Sequence, residues 1–143
     1  MTPLEFLTFM LVTTAVAAAV HMMRRRRHMA ALQRLAGEVR MQYSAADRFR
    51  LAPRIAQRLP VPGAAAVRVL DLLYGVEQEN YRYVFSAEYT TGVLRTKTGV
   101  RRVVTFAEPR DPAAKHDTMA LTFAPPELPV IEQYRHLLAQ FKA

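Results

Sequence analysis

The sequence predicts an α+β fold: an N-terminal transmembrane helix, basic juxtamembrane helices, and a small antiparallel sheet of four or five strands packed by a C-terminal helix. Three observations carry that expectation. Residues 6–23, FLTFMLVTTAVAAAVHMM, hold no formal charge. In the run from Tyr81 to Tyr89 the aromatics fall on alternate positions, the period of a strand. From Val130 to Phe141 the apolar residues return to helical spacing.

The first element is read from length and charge. Extended back to Pro3, the apolar stretch contains Glu5 as its one charged residue. About 20 helical residues at 1.5 Å each cross the ~30 Å hydrocarbon core of a bilayer. Thr8, Thr13 and Thr14 fit this reading because their hydroxyls can bond back to the helix backbone. A cleaved signal peptide needs a basic leader before its apolar core. Here the leader is MTPLEF, and the basic run Arg24, Arg25, Arg26 and Arg27 follows the apolar core instead. The segment therefore reads as an uncleaved anchor. The positive-inside rule leaves the Arg side in the cytoplasm. This gives a single-pass inner-membrane protein, N-terminus out and C-terminus in. Thr14 with Ala18, and Ala15 with Ala19, have the small-xxx-small spacing that lets helices approach closely, so a homo-oligomer is one possible assembly.

The basic residues are concentrated. The chain has 143 residues and a formal net charge of +8. Residues 24–58 hold ten Arg against Glu38 and Asp47, a local +8, while the remainder is close to neutral. A basic stretch directly after an apolar segment points to a membrane surface. Arg24, Arg25, Arg26, Arg27 and Arg34 are the candidate contacts to anionic lipid headgroups; the alternative is that the run only sets topology. Met29, Leu32, Leu35, Ala36, Val39 and Tyr43 follow a helical stripe, which extends the first helix to about Gln42. Ser44-Ala45-Ala46-Asp47 has the form of a capping box, with Ser44 as N-cap of a second short helix. Pro60-Val61-Pro62-Gly63 ends that helix. The chain then divides into a transmembrane anchor over 1–23, a basic juxtamembrane helical segment over 24–59, and a cytoplasmic α+β domain over 60–143.

Within the last part, Val67–Tyr74 reads as a strand and Gly75–Asn80 as a hairpin loop. Tyr81, Tyr83, Phe85 and Tyr89 share one face of the next strand, and Arg82, Ser86 and Glu88 share the other. That is the pattern of a half-buried antiparallel strand, with the C-terminal helix as its cover. Thr90-Thr91-Gly92 and Lys97-Thr98-Gly99 are turn signals. Arg101–Ala107 makes a further strand with Val104 and Phe106 on one face, and Glu108–Asp117 is an exposed loop. Met119, Leu121 and Phe123 alternate before Pro125-Pro126. Val130, Tyr134, Leu137, Leu138 and Phe141 form the stripe of the last helix.

The run from Gly75 through Tyr83, Phe85 and Tyr89-Thr90-Thr91-Gly92, followed by Val103-Val104 and Leu121-Thr122-Phe123-Ala124-Pro125-Pro126-Glu127, resembles a group of uncharacterised bacterial single-pass membrane proteins. In these a small β-rich domain carries a Tyr-Thr-Thr-Gly strand end. The similarity covers about residues 60–128. It implies a bacterial origin, hence the bacterial inner membrane, and a compact β domain behind a membrane helix, and brings no activity or site residues.

Little in the chain points to catalysis. There is no Cys, which excludes disulfides, thiolate zinc sites and Cys nucleophiles. No HExxH, P-loop or GxGxxG occurs. His116-Asp117 is read as solvated loop and His136 as helix surface. Asp71, Glu88 and Glu108 are expected to pair across strands with Arg82, Arg101 or Arg102. No catalytic residue, metal or cofactor is assigned. Tyr81, Tyr83 and Tyr89 form a possible interaction surface. Their strand resembles the base-stacking strands of RNA-binding sheets, but core packing is the preferred reading and nucleic acid an unlikely partner. The expectation is a membrane-anchored, non-enzymatic binding or scaffold protein, such as an accessory subunit of a membrane complex. An anionic-lipid- or ligand-sensing domain is the alternative, and an enzyme with an unrecognised site a distant third.

Overall fold

The computed structural model describes residues 2–56, 65–91, 98–111 and 120–140. Eight elements follow in order. They are α1 (Pro3–Glu38), β1 (Gln42–Ser44), α2 (Leu51–Ala56), β2 (Ala65–Glu77), β3 (Asn80–Thr91), β4 (Thr98–Pro109), β5 (Thr122–Phe123) and α3 (Val130–Ala139). The chain separates into two compact units, Met1–Ala31 and Leu32–Ala143. The architecture is α+β, with a long apolar N-terminal helix, a five-stranded antiparallel sheet and a C-terminal helix.

The first unit is the N-terminal part of α1. Its start is a capping box: the Glu5 amide donates to Thr2 Oγ1 at 3.3 Å and the Thr2 amide to Glu5 Oε2 at 2.9 Å. Pro3 at the first helical position needs no amide partner there. Thr8, Thr13 and Thr14 donate their hydroxyls to the carbonyls of Leu4, Phe9 and Met10 at 2.9, 2.7 and 2.8 Å. Those are the backbone returns expected of Thr in an apolar span. The helix is long and apolar enough to cross a membrane, and among the described residues none of its most apolar stretch is buried.

The second unit starts at Leu32. Leu32, Leu35 and Ala36 are buried there, so the end of α1 is part of a core. The stripe then breaks earlier than expected. Val39 is exposed, and Tyr43 lies in a strand. The helix closes with a Schellman motif: the Met41 amide reaches the Ala36 carbonyl at 2.8 Å and the Arg40 amide the Gly37 carbonyl at 3.3 Å. Arg40 holds the left-handed position at φ 58°, where glycine is usual. A non-glycine residue there costs about 1–2 kcal/mol. Met41 then packs onto the core. Gly75 makes this possible, because a Cβ at position 75 would stand 3.1 Å from Met41 Cγ.

Ser44 is not a helix cap. It is the last residue of β1, and its hydroxyl donates to the Ala46 carbonyl at 3.0 Å. Asp47 caps α2 instead, accepting from the amides of Leu51 at 2.7 Å and Ala52 at 2.9 Å. The carboxylate has two acceptor oxygens and reaches two orphan amides, which one hydroxyl cannot do. Leu51 and Ile55 of α2 are fully buried.

The sheet is a meander, β1-β2-β3-β4-β5, with every pair antiparallel. The expected loop over Gly75–Asn80 is instead mostly strand. β2 continues to Glu77, which pairs with Asn80 across a two-residue turn with Gln78 at φ 54°. Thr90, Thr91, Thr98 and Gly99 are paired strand residues rather than turns. Gly92 and Lys97 lie outside the described residues, as do Pro60–Gly63, His116, Asp117, Met119 and Phe141.

β2 is bulged twice. Opposite Phe85 it carries both Asp71 and Leu72, and opposite Tyr89 both Ala66 and Val67. Asp71 and Ala66, the first residue of each bulge, are left-handed at φ 52° and φ 53°. Before the Asp71 bulge the odd residue Val69 packs on the aromatic face; after it the even residues Leu72 and Tyr74 do. Simple alternation therefore fails along this strand.

β3 is buried on both faces, so the half-buried reading is corrected. Tyr83, Phe85, Val104 and Phe106 share one core with Leu51 and Ile55 of α2. Val84 and Val103 share the other with Tyr134, Leu137 and Leu138 of α3 and with Leu32 and Leu35. The C-terminal helix thus covers the Val84–Ser86 face and not the aromatic face where it was expected, which α2 covers instead. Ser86 explains the choice: its small side chain admits the Tyr134 ring and pairs with the phenol at 2.9 Å.

Candidate functional site

Two polar or partly open features stand out in the second unit. The first is a partly buried network at the β2 bulge. Tyr43 Oη donates to Asp71 Oδ1 at 2.8 Å, Arg101 Nη2 donates to Asp71 Oδ2 at 3.1 Å, and Tyr134 Oη donates to the Asp71 carbonyl at 2.8 Å. Glu88, directly opposite Arg101 in the register, lies 3.9 Å from its guanidinium. Asp71 and Glu88 thus pair across strands through Arg101, as the sequence led us to expect. Burial drives the Tyr134 phenol well above the ordinary tyrosine range, so it stays protonated and donates. Each group here has a partner, and the network is a structural junction.

The second feature is a groove of about 720 Å³ at the hairpin end of the sheet. That size lies within the range of small-molecule sites. Its wall is aromatic. Tyr74 and Tyr83 are direct partners across β2 and β3, and Val76 and Tyr81 are the next outward-facing pair. Phe49, carried by the turn before α2, meets Tyr74 and Tyr83 edge-on with centroids at 4.9 and 5.5 Å. Tyr83 in turn lies 5.0 Å from Phe106. Tyr83 is nearly closed off at 6% exposure, whereas Tyr81 and Phe49 are each 39% exposed. The rings therefore grade from core to solvent.

Charge is distributed around these rings unevenly. Arg40 and Arg110 line the groove. The Arg110 guanidinium sits 5.8 Å from the Tyr81 ring centroid, and that of Arg48 sits 5.9 Å from Tyr74 while donating to its hydroxyl at 2.8 Å. Glu108 is the acidic side chain of the wall. Arg54 of α2 grips it with two bonds, at 2.8 and 3.4 Å. Burial, followed by the Glu108 charge, raises the Tyr83 pKa from its ordinary value. Glu108 is thus held in an ion pair with Arg54.

The sequence-read residues divide as follows. Tyr81 and Tyr83 line this groove. Tyr89 does not: it is 4% exposed and pairs with Val100 near the far end of β3. Arg24, Arg25, Arg26 and Arg27 are exposed on α1 in the first unit, and Arg34 is exposed in the second. Phe49, Tyr74, Arg40 and Arg110 were not legible as one site. The hairpin register would have found Tyr74, since a two-residue turn at 78–79 places it opposite Tyr83. Among the described residues, no three His, Asp or Glu side chains gather as a metal would require.

No protein-family model matches the chain, and no curated protein or solved structure is significantly similar to it.

Proposed function

We propose that this is a membrane-anchored binding protein, non-enzymatic, whose second unit engages a partner or ligand through the aromatic groove. The bacterial inner membrane is the proposed site, with the N-terminus out and the second unit in the cytoplasm. The observation that carries the binding reading is the groove itself. Phe49 and Tyr81 leave large aromatic surface open beside arginines, where a core would have closed it. The anchor reading rests on the uncovered apolar stretch of α1 and the four Arg after it. Service as an accessory subunit of a membrane complex is consistent with both, as is the resemblance to uncharacterised bacterial single-pass proteins.

A photoreactive amino acid placed at position 81 of the full chain in cells tests the reading. Covalent adducts at Tyr81, absent when the same residue replaces the exposed Arg135, support it; equal labelling or none at position 81 refutes it. A cytoplasm-only reporter fused to the C-terminus tests the orientation, and an inactive fusion would overturn it.

A further inference from the structure

The binding reading leaves the ligand's chemistry open, and the groove's own residues narrow it. Resting on that reading, we propose that the groove takes a small ligand with a planar apolar body and one anionic group, a carboxylate, sulfonate or phosphate. The apolar body is matched by Phe49, Tyr74 and Tyr81, whose rings crowd one wall. Ring faces and edges accept a planar partner at little conformational cost, because the wall is already built.

The anionic group is assigned from the cations. Arg40 and Arg110 are both exposed and both line the groove. Their roles differ from those of Arg54, which is committed to Glu108, and Arg48, which is committed to Tyr74. The acidic side chain of the wall is neutralised where it stands, so the charge offered to an incoming ligand is positive. A guanidinium beside an aromatic ring suits a planar anion, whose charged group takes the hydrogen bonds while its body stacks.

Backbone conformation supplies an independent observation. Arg40 occupies a left-handed helix-closing position at φ 58°, where glycine would sit without strain. Strain retained at the mouth of a groove is common where a side chain has a binding task. The same fact provides a clean variant: Arg40→Gly removes the guanidinium and relieves the backbone together, so the fold survives the change.

The test uses the full chain in maltoside micelles and two probes, a fluorinated naphthoate and the neutral fluorinated naphthamide, followed by fluorine NMR line width. Protein-free micelles give the blank. The expected result is saturable naphthoate binding with a Kd about tenfold below that of the amide, the worth of one charge-assisted contact. The double variant Arg40→Gly with Arg110→Ala should abolish that preference, and Tyr81→Ala should weaken both probes. Equal affinities, or a naphthoate preference that survives in the double variant, would overturn the anion assignment while leaving a binding groove. Saturable binding of neither probe would overturn the ligand class altogether; adduct formation at position 81 would still decide the broader reading.

Discussion

The phenol of Tyr134 donates to the main-chain oxygen of Asp71 at 2.8 Å, joining the C-terminal helix to the bulge in β2. The phenol oxygen itself accepts from Ser86 Oγ at 2.9 Å. One side chain therefore satisfies a bulge carbonyl and a strand hydroxyl inside the core. Tyr134→Phe keeps the ring and its packing but orphans both groups. Leaving buried polar atoms without partners costs ~1–3 kcal/mol. A urea titration of the variant should show the midpoint falling with an unchanged slope. A midpoint within error of the wild type would remove the latch from the account.

Alkaline pH should destabilise the protein through the same residue. Tyr134 and Tyr83 both have pKa values raised in the folded state, Tyr134 chiefly by burial and Tyr83 by burial and then Glu108. A raised pKa means the native state keeps protons that the unfolded chain has lost. The associated stability is complete below the unfolded tyrosine value near 10 and is lost as pH rises beyond it. Melting temperature should therefore decline above about pH 10. Tyr134→Phe should flatten the decline even though it starts lower. A wild-type melting temperature that is level to pH 11 would contradict both assignments.

Phe85 and Arg82 lie three positions apart on β3 and should respond very differently to truncation. Phe85 is fully buried, so Phe85→Ala should cost roughly 3–5 kcal/mol. Arg82 is half-buried and pairs with Glu77 at 2.9 Å. Arg82→Ala should cost no more than about 1 kcal/mol. The comparison reads the register of the central strand directly, and a larger loss at Arg82 than at Phe85 would mean the strand is set one residue out.

Fragments should report where the folded unit begins. A chain of residues 28–143 retains Leu32, Leu35 and Ala36, the edge strand β1 and both core residues of α2. We expect it to be soluble, with a cooperative melt by circular dichroism. Residues 60–143 alone lack all of these and should not show a cooperative transition. A folded 60–143 fragment would return the helical stretch before it to the role of a separate linker.

How far the chain could be read without its structure varies by element. The helical stripe of α3 and the alternation of Val104 with Phe106 are strong local patterns, and both elements form. β3 forms where the alternation places it, yet its aromatic face is covered by α2 and not by the C-terminal helix. Period-2 spacing says which side chains lie together; it does not say which helix covers them. That depended on Ser86 and Tyr134, far apart in sequence. β1 is three residues long and carries no pattern of its own. In β2 the left-handed residues Ala66 and Asp71 shift the phase, and neither is a glycine that would have marked a bulge. Phe49 and Tyr74 meet only because β1, the following turn and β2 bring them together, so half of the groove was invisible as a pattern.

The bulge at Asp71 also bears on how this strand can vary in length. The extra residue there is what puts Val69 and Leu72 on the same face. Remove Asp71 and strict alternation is restored, with Leu72 and Leu73 still facing the cores they face now. Such a deletion would abolish the junction of Tyr43, Arg101 and Tyr134 without reversing any core side chain. Away from this bulge and the one at Ala66, losing one residue of β2 or β3 would turn the remainder of the strand inside out. Divergent copies of this domain should therefore accumulate one-residue gaps at the two bulges and not along the rest of the hairpin.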